Sequence, residues 1–175
     1  MGTFLVCQET RNVPIYPCLT MLKIALKLDN PTDHPRAAEL RLVLPFGDRA
    51  KSRLRVTFDN GEEAGLFLER GSVLRNGDLL LADDGRVVEV RAAMETVSTV
   101  RTRDAWALAR ASYHLGNRHV ALEIGSGWLR YQHDHVLDDM LRGFGLVVVV
   151  EQARFEPEAG AYVSASTHAH THSHD

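Results

Sequence analysis

Nine histidines occur in the 175 residues, and four of them alternate through HAHTHSHD at the C-terminus: His168, His170, His172 and His174. A neutral imidazole binds borderline divalent metals through one ring nitrogen, and its unperturbed pKa of about 6.5 leaves most of it neutral near pH 7. Histidine clusters are therefore metal candidates. The alternating tail suits a mobile chain in which two or three rings fold around one ion, capturing metal without holding it in a rigid geometry. A second cluster, QHDH (132–135), sets His133 and His135 two residues apart, so a strand running through both projects them the same way. A helix beginning at Asp134 breaks that rule, and its positive N-terminus disfavours a nearby cation. The competing reading is two polar residues at an exposed junction. The third group is YHLGNRHV (113–120). His114 falls in the last turn of a helix, where a partly charged ring is welcome and a structural role suffices. His119 reads either as a hydrogen-bonded structural residue or as half of a site. One imidazole does not chelate, but on a two-fold axis it meets its symmetry mate and supplies two nitrogens to one ion.

Enzymatic arrangements are weak by comparison. The chain has no GxSxG, no HExxH, no GxGxxG opening a helix and no GxxxxGK, so it lacks the usual signatures of nucleophilic, zinc-hydrolytic and nucleotide chemistry. Asp138 and Asp139 read as a solvated helix face. Cys7 and Cys18 are too far apart for a CxxC and too few for a disulfide framework, which fits a reduced compartment. Twenty Lys and Arg against twenty-three Asp and Glu give a net charge of -3, too balanced for a nucleic-acid or anionic-membrane binder. No apolar run approaches a membrane span, and the N-terminus has no secretory pattern. The expectation is a soluble, cytoplasmic protein that is not an enzyme.

The elements that must position the histidines divide into two groups. Up to about residue 90 the pattern is all-β: KIALKL (23–28), LRLVLP (40–45), LRVTF (54–58) and LLLA (79–82) read as strands, with DNG (59–61), RNGD (75–78) and DDG (83–85) as turns. VVEVRAAMETVSTV (87–100) reads as strand. RDAWALARASYHL (103–115) is a helix capped by Thr102 or Asp104, with Ala105, Leu108, Ser112 and Leu115 on one face. Gly116 or Asn117 then takes the left-handed end position, and HVALEI (119–124) follows as a strand. WLRYQ (128–132) returns, Asp134 caps a second helix with Val136, Leu137, Met140 and Leu141 inward, and LVVVV (146–150) reads as a central or doubly buried strand. The order strand, helix, strand, strand, helix, strand is that of a ferredoxin-like unit. The fold class is therefore α+β, with an N-terminal β domain (1–92), a ferredoxin-like βαββαβ domain (93–153) and a His-containing tail (154–175).

YHLGNRH, then LRYQHDHVLDDMLRGFGL, then FEPEAGAY ahead of a histidine-rich end together resemble the UreE family of urease accessory proteins, from about residue 56 to the C-terminus. The resemblance implies a nickel metallochaperone that carries Ni(II) for assembly of the urease active site and works with an accessory GTPase. It implies a homodimer, a peptide- or partner-binding N-terminal β domain, and His119 as the principal ligand, shared between both copies. His133 and His135 match peripheral metal positions, and the tail histidines match an auxiliary collecting segment. Zinc and copper are the expected competitors in vitro, since imidazole affinity does not select nickel. Two departures stand out: Ala121 replaces a proline common in the family after RHV, and the tail has only four histidines. The alternative function is general divalent-metal buffering or a peptide-binding module with incidental histidines.

Overall fold

The computed structural model describes residues 21–28 and 37–159, and within them the chain builds two sheets. The first contains β1 (Leu22–Leu28), β2 (Leu40–Leu44), β3 (Arg53–Thr57), β4 (Glu63–Phe67), β5 (Leu79–Ala82) and β6 (Val87–Ala92), in the order β2-β6-β5-β1-β4-β3. β2 shows why these segments pair: Leu40, Leu42 and Leu44 point to the core and Arg41 and Val43 point out, the two-residue alternation of a half-buried strand. Ile24, Leu42, Leu66, Leu74, Leu80 and Val88 meet in that core. The glycines of the three expected turns, Gly61, Gly77 and Gly85, all have positive φ.

The second sheet contains β7 (Met94–Arg101), β8 (Glu123–Gly125), β9 (Trp128–Gln132) and β10 (Val148–Arg154), ordered β10-β7-β9-β8 with every pair antiparallel. Helix α2 (Ala105–Gly116) lies between β7 and β8 in the chain, and α3 (His135–Gly143) lies between β9 and β10. Leu115 from α2 and Leu141 from α3 share one core with Val100, Leu129 and Tyr131, so both helices cover the same face of the sheet. Truncating a fully buried leucine here costs about 2–5 kcal/mol.

The chain returns to the first sheet after β10. Arg49, at the end of the short helix α1 (Phe46–Arg49), is fully buried. It donates to the carbonyls of Leu44 and Leu74 (both 3.2 Å), to Glu156 Oε1 (2.5 Å) and to the Phe155 carbonyl. Phe46 packs edge-on against Phe155 at 5.5 Å. A buried guanidinium needs this number of acceptors, because an unpaired one is costly.

Several expectations need correction. The tail does not begin at residue 154: Phe155 and Pro157 are buried and Glu156 is tied to Arg49. His168, His170, His172 and His174, like Cys7 and Cys18, lie outside the described residues. VVEVRAAMETVSTV is two strands, because the Ala93 amide closes the β6 ladder on the Leu44 carbonyl (2.9 Å) while Met94 pairs with Arg154 in the other sheet. β10 is an edge strand rather than a central one, with Val149 and Val150 about half exposed and Val147 more so. On α2 the inward residues are Ala107, Leu108, Ala111 and Leu115, with Ala105 exposed; on α3 Val136 points out. Strand β4 and helix α1 were not anticipated. Among the described residues no helix is long and apolar enough to cross a membrane.

Candidate metal centre

His119 does not open a strand; it occupies the turn that ends α2. The His119 amide donates to the Gly116 carbonyl (2.9 Å) and the Val120 amide to the Leu115 carbonyl (3.3 Å). This is the Schellman arrangement, in which the residue after the helix cap adopts the left-handed conformation. That residue is His119, with φ of 57°, the one non-glycine with positive φ among the described residues. Asn117, expected to be left-handed, has φ of -61°. With the Val120 amide bonded back to Leu115, sheet pairing starts only at Glu123, opposite Arg130. His119 itself is exposed, so the turn raises an imidazole on a short, hydrogen-bonded corner.

The exposed face of α2 is aromatic. Trp106 and Tyr113, seven residues apart on α2, are 77% and 65% exposed, and that spacing places them on one helical face. His114 is half-buried between Tyr113 (5.3 Å) and Phe144 (4.9 Å), which suits the structural role. Arg110 lies 4.2 Å above the Phe144 ring. The Asp104 carboxylate caps the other end of α2, accepting from the Trp106 and Ala107 amides.

His133 and His135 stand on either side of a helix start. β9 ends at Gln132, Asp134 is the cap and His135 is the first residue of α3. Asp134 Oδ1 accepts from the Val136 (2.8 Å) and Leu137 (3.2 Å) amides, so that oxygen is occupied in capping. His135 is exposed. His133 is exposed too, but its Nδ1 sits 3.0 Å from Ser98 Oγ and 3.4 Å from Asp138 Oδ2.

Asp138 overturns the solvated-face expectation. It is 1% exposed and accepts a 2.7 Å hydrogen bond from the Tyr131 hydroxyl. Arg142 lies 3.5 Å from its other oxygen. Burial, and secondarily the bond to Asp138, pushes the Tyr131 phenol far above its usual pKa, so it stays protonated as the donor. A signal for this was present. Asp138 is three residues before the core residue Leu141 and therefore on its face, and Tyr131 alternates inward with Leu129, where a buried hydroxyl requires a partner.

Among the described residues, no three His, Cys, Asp or Glu side chains converge on a common point, so His119, His133 and His135 form no single centre within one chain. A cavity of about 600 Å³ lies elsewhere, bounded by Met21, Leu22, Arg55, Glu62, Asp84 and Arg86 among others. Its charges are already paired, Arg86 with Glu62 and Asp84 at 2.6 Å each.

Comparison with known proteins adds an independent line. Residues 24–93 match the family description "UreE urease accessory protein, N-terminal domain", and residues 95–175 match the corresponding C-terminal domain. The similarity thus begins well before residue 56, where the sequence motifs become recognisable. The urease accessory protein UreE of Alkalilimnicola ehrlichii is 65% identical over 125 residues, covering 71% of this chain and 77% of the relative. The Vibrio parahaemolyticus protein of the same name is 54% identical over 147 residues, covering 82% and 91%. That of Proteus mirabilis is 55% identical over 138 residues, covering 79% and 83%.

Proposed function

The chain belongs to the UreE family of urease accessory proteins, and on that premise we propose that it is a nickel carrier rather than an enzyme. In this reading two copies associate through the α2 corner, and the two His119 imidazoles bind one Ni(II) between them. His133 and His135 bind further metal more peripherally. His168, His170, His172 and His174 collect it. The carrier passes nickel to the accessory GTPase and the urease assembly complex in the cytoplasm. Its second sheet with α2 and α3 is the ferredoxin-like, metal-binding unit, and the first sheet is the partner-binding unit. The division falls near residue 93, and the collecting tail begins after the anchored segment Phe155–Glu158.

The observation that carries this reading is the left-handed His119. An L-residue with a Cβ pays roughly 1–2 kcal/mol to sit in that region, where glycine fits freely. Strained residues of this kind concentrate at functional sites. Trp106 and Tyr113, exposed along one face of the same helix, support a second copy as the occupant of that face, since large aromatic residues left in water are otherwise unfavourable. Neutral imidazoles on such a surface also exchange metal more readily than buried thiolates, as a carrier requires.

Nickel equilibrium dialysis on wild type, His119→Ala and a truncation after Ser166 tests the proposal. His119→Ala should abolish the tight site, and truncation should mainly reduce the number of ions bound. Protons compete with metal for imidazole, so affinity should fall between about pH 7.5 and about pH 5.5. Unchanged affinity across that range would assign the metal to carboxylates or backbone groups instead. Equal transfer of zinc, copper and nickel to the urease assembly proteins would favour a general buffer over a nickel carrier.

A further inference from the structure

We propose that Asp138 is a positioning residue: its buried carboxylate, lying with Ser98 beside His133 Nδ1, places the proton of that ring on Nδ1 and leaves the metal-binding lone pair on Nε2. The inference deepens the proposed function and rests on its reading of His133 as a ligand.

The contacts run from the interior outward. Asp138 is a carboxylate with Arg142 beside it at 3.5 Å, and an ionised carboxylate only accepts. The Tyr131 hydroxyl, which has no solvent exposure, therefore donates its one hydrogen to Asp138 Oδ1 at 2.7 Å. The Ser98 hydroxyl, equally buried, has His133 Nδ1 3.0 Å from its oxygen, and a hydroxyl accepts from an N–H placed there. Asp138 Oδ2, 3.4 Å from the same nitrogen, adds negative potential that favours a proton there. A neutral imidazole has one N–H, so a proton on Nδ1 leaves Nε2 free to bind metal. A carboxylate or carbonyl that fixes the second nitrogen of a histidine ligand also makes the ligating nitrogen more basic.

This arrangement gives Asp138 a reason to be buried. A carboxylate inside a core is costly unless its bonds are satisfied, and here one oxygen takes the Tyr131 hydroxyl while the other faces Nδ1 of the exposed His133 ring. α2 has no such device: its N-cap Asp104 is exposed, and no acidic residue follows in its first turn.

Two-bond ¹H–¹⁵N correlation spectra of metal-free, full-length protein at about pH 8, where imidazole is neutral, read the tautomer directly. Wild type should hold His133 with its proton on Nδ1. Asp138→Asn introduces a group that donates as well as accepts, and should shift His133 toward a mixture containing the Nε2–H form. Ser98→Ala, a smaller change that serves if Asp138→Asn does not fold, should shift it in the same direction. Nickel affinity of the site remaining in a His119→Ala background should fall about 10–100-fold with Asp138→Asn. A wild-type ring protonated on Nε2, or a tautomer unmoved by both substitutions, overturns the inference. If instead His133→Ala in that background leaves nickel binding unchanged, the reading of His133 as a ligand is what fails, and the affinity half of the inference fails with it.

Discussion

Helices α2 and α3 end in the same hydrogen-bonded turn, but with a different residue at its left-handed position. After α3 the Gly145 amide donates to the Arg142 carbonyl (2.9 Å) and the Leu146 amide to the Leu141 carbonyl (3.2 Å). The same two bonds close α2 around His119. Gly145 has φ of 83° and His119 of 57°. In both turns the following residue, Leu146 or Val120, packs into the shared core, so each turn is held by the same combination of two hydrogen bonds and one apolar contact. α3 uses the residue that suits the geometry. α2 places an imidazole there at an energetic cost, which points to a demand on that side chain other than stability.

Replacing the odd residue with the ordinary one separates the two roles. His119→Gly should produce the largest effect, a loss of nickel affinity on the order of 100-fold or more by titration calorimetry, in a protein that folds normally. The reverse exchange is next: Gly145→Val should destabilise by about 2 kcal/mol in urea unfolding without changing nickel binding. A Cβ there meets nothing within 4 Å, so this cost is backbone strain rather than collision. Smaller, and opposite in sign, is the effect of His119→Gly on stability, a gain of up to about 1 kcal/mol. A loss instead would show that the imidazole contributes to the fold, and the contrast between the two turns would no longer indicate function.

The smallest effect is confined to alkaline pH and marks the other difference between the helices, the buried Asp138 that only α3 carries. Burial, and secondarily the bond to Asp138, raises the folded-state pKa of Tyr131 above the ordinary phenol value of about 10. The stability linked to it is therefore fully present below pH 10, and is lost as pH rises and the unfolded tyrosine ionises first. Wild type should weaken above about pH 10 more steeply than Tyr131→Phe, which has no such proton to lose.

How far the sequence displays all this depends on whether the deciding interaction is local. Asp134, and Asp104 as one of two candidates with Thr102, could be identified as caps because each bonds amides two and three residues ahead. The turn glycines were recognisable for the same reason. His119 stands out by type and motif, but its left-handed state depends on which residue the helix ends at, and glycine at 116 drew that expectation to the wrong place. Asp138 was misread because its partners, Tyr131 and His133, come from the preceding strand and its end, and an Asp-Asp pair on a helix resembles a solvated face. The same limit explains β10. A run of valines states hydrophobicity, but a strand is central only if two neighbours flank it, and β10 has one among the described residues. The buried Arg49 joins residues 107 positions apart, beyond the reach of any periodicity.

The claim at the centre of this account is that one nickel ion is shared by two His119 side chains. Counting tightly bound nickel per chain by equilibrium dialysis, on protein truncated after Ser166 to remove the tail histidines, tests it most directly. The account predicts about one tight ion per two chains, sedimenting with a dimer, and none in His119→Gly. A full tight ion per chain, or a half-ion that persists in His119→Gly, would contradict it.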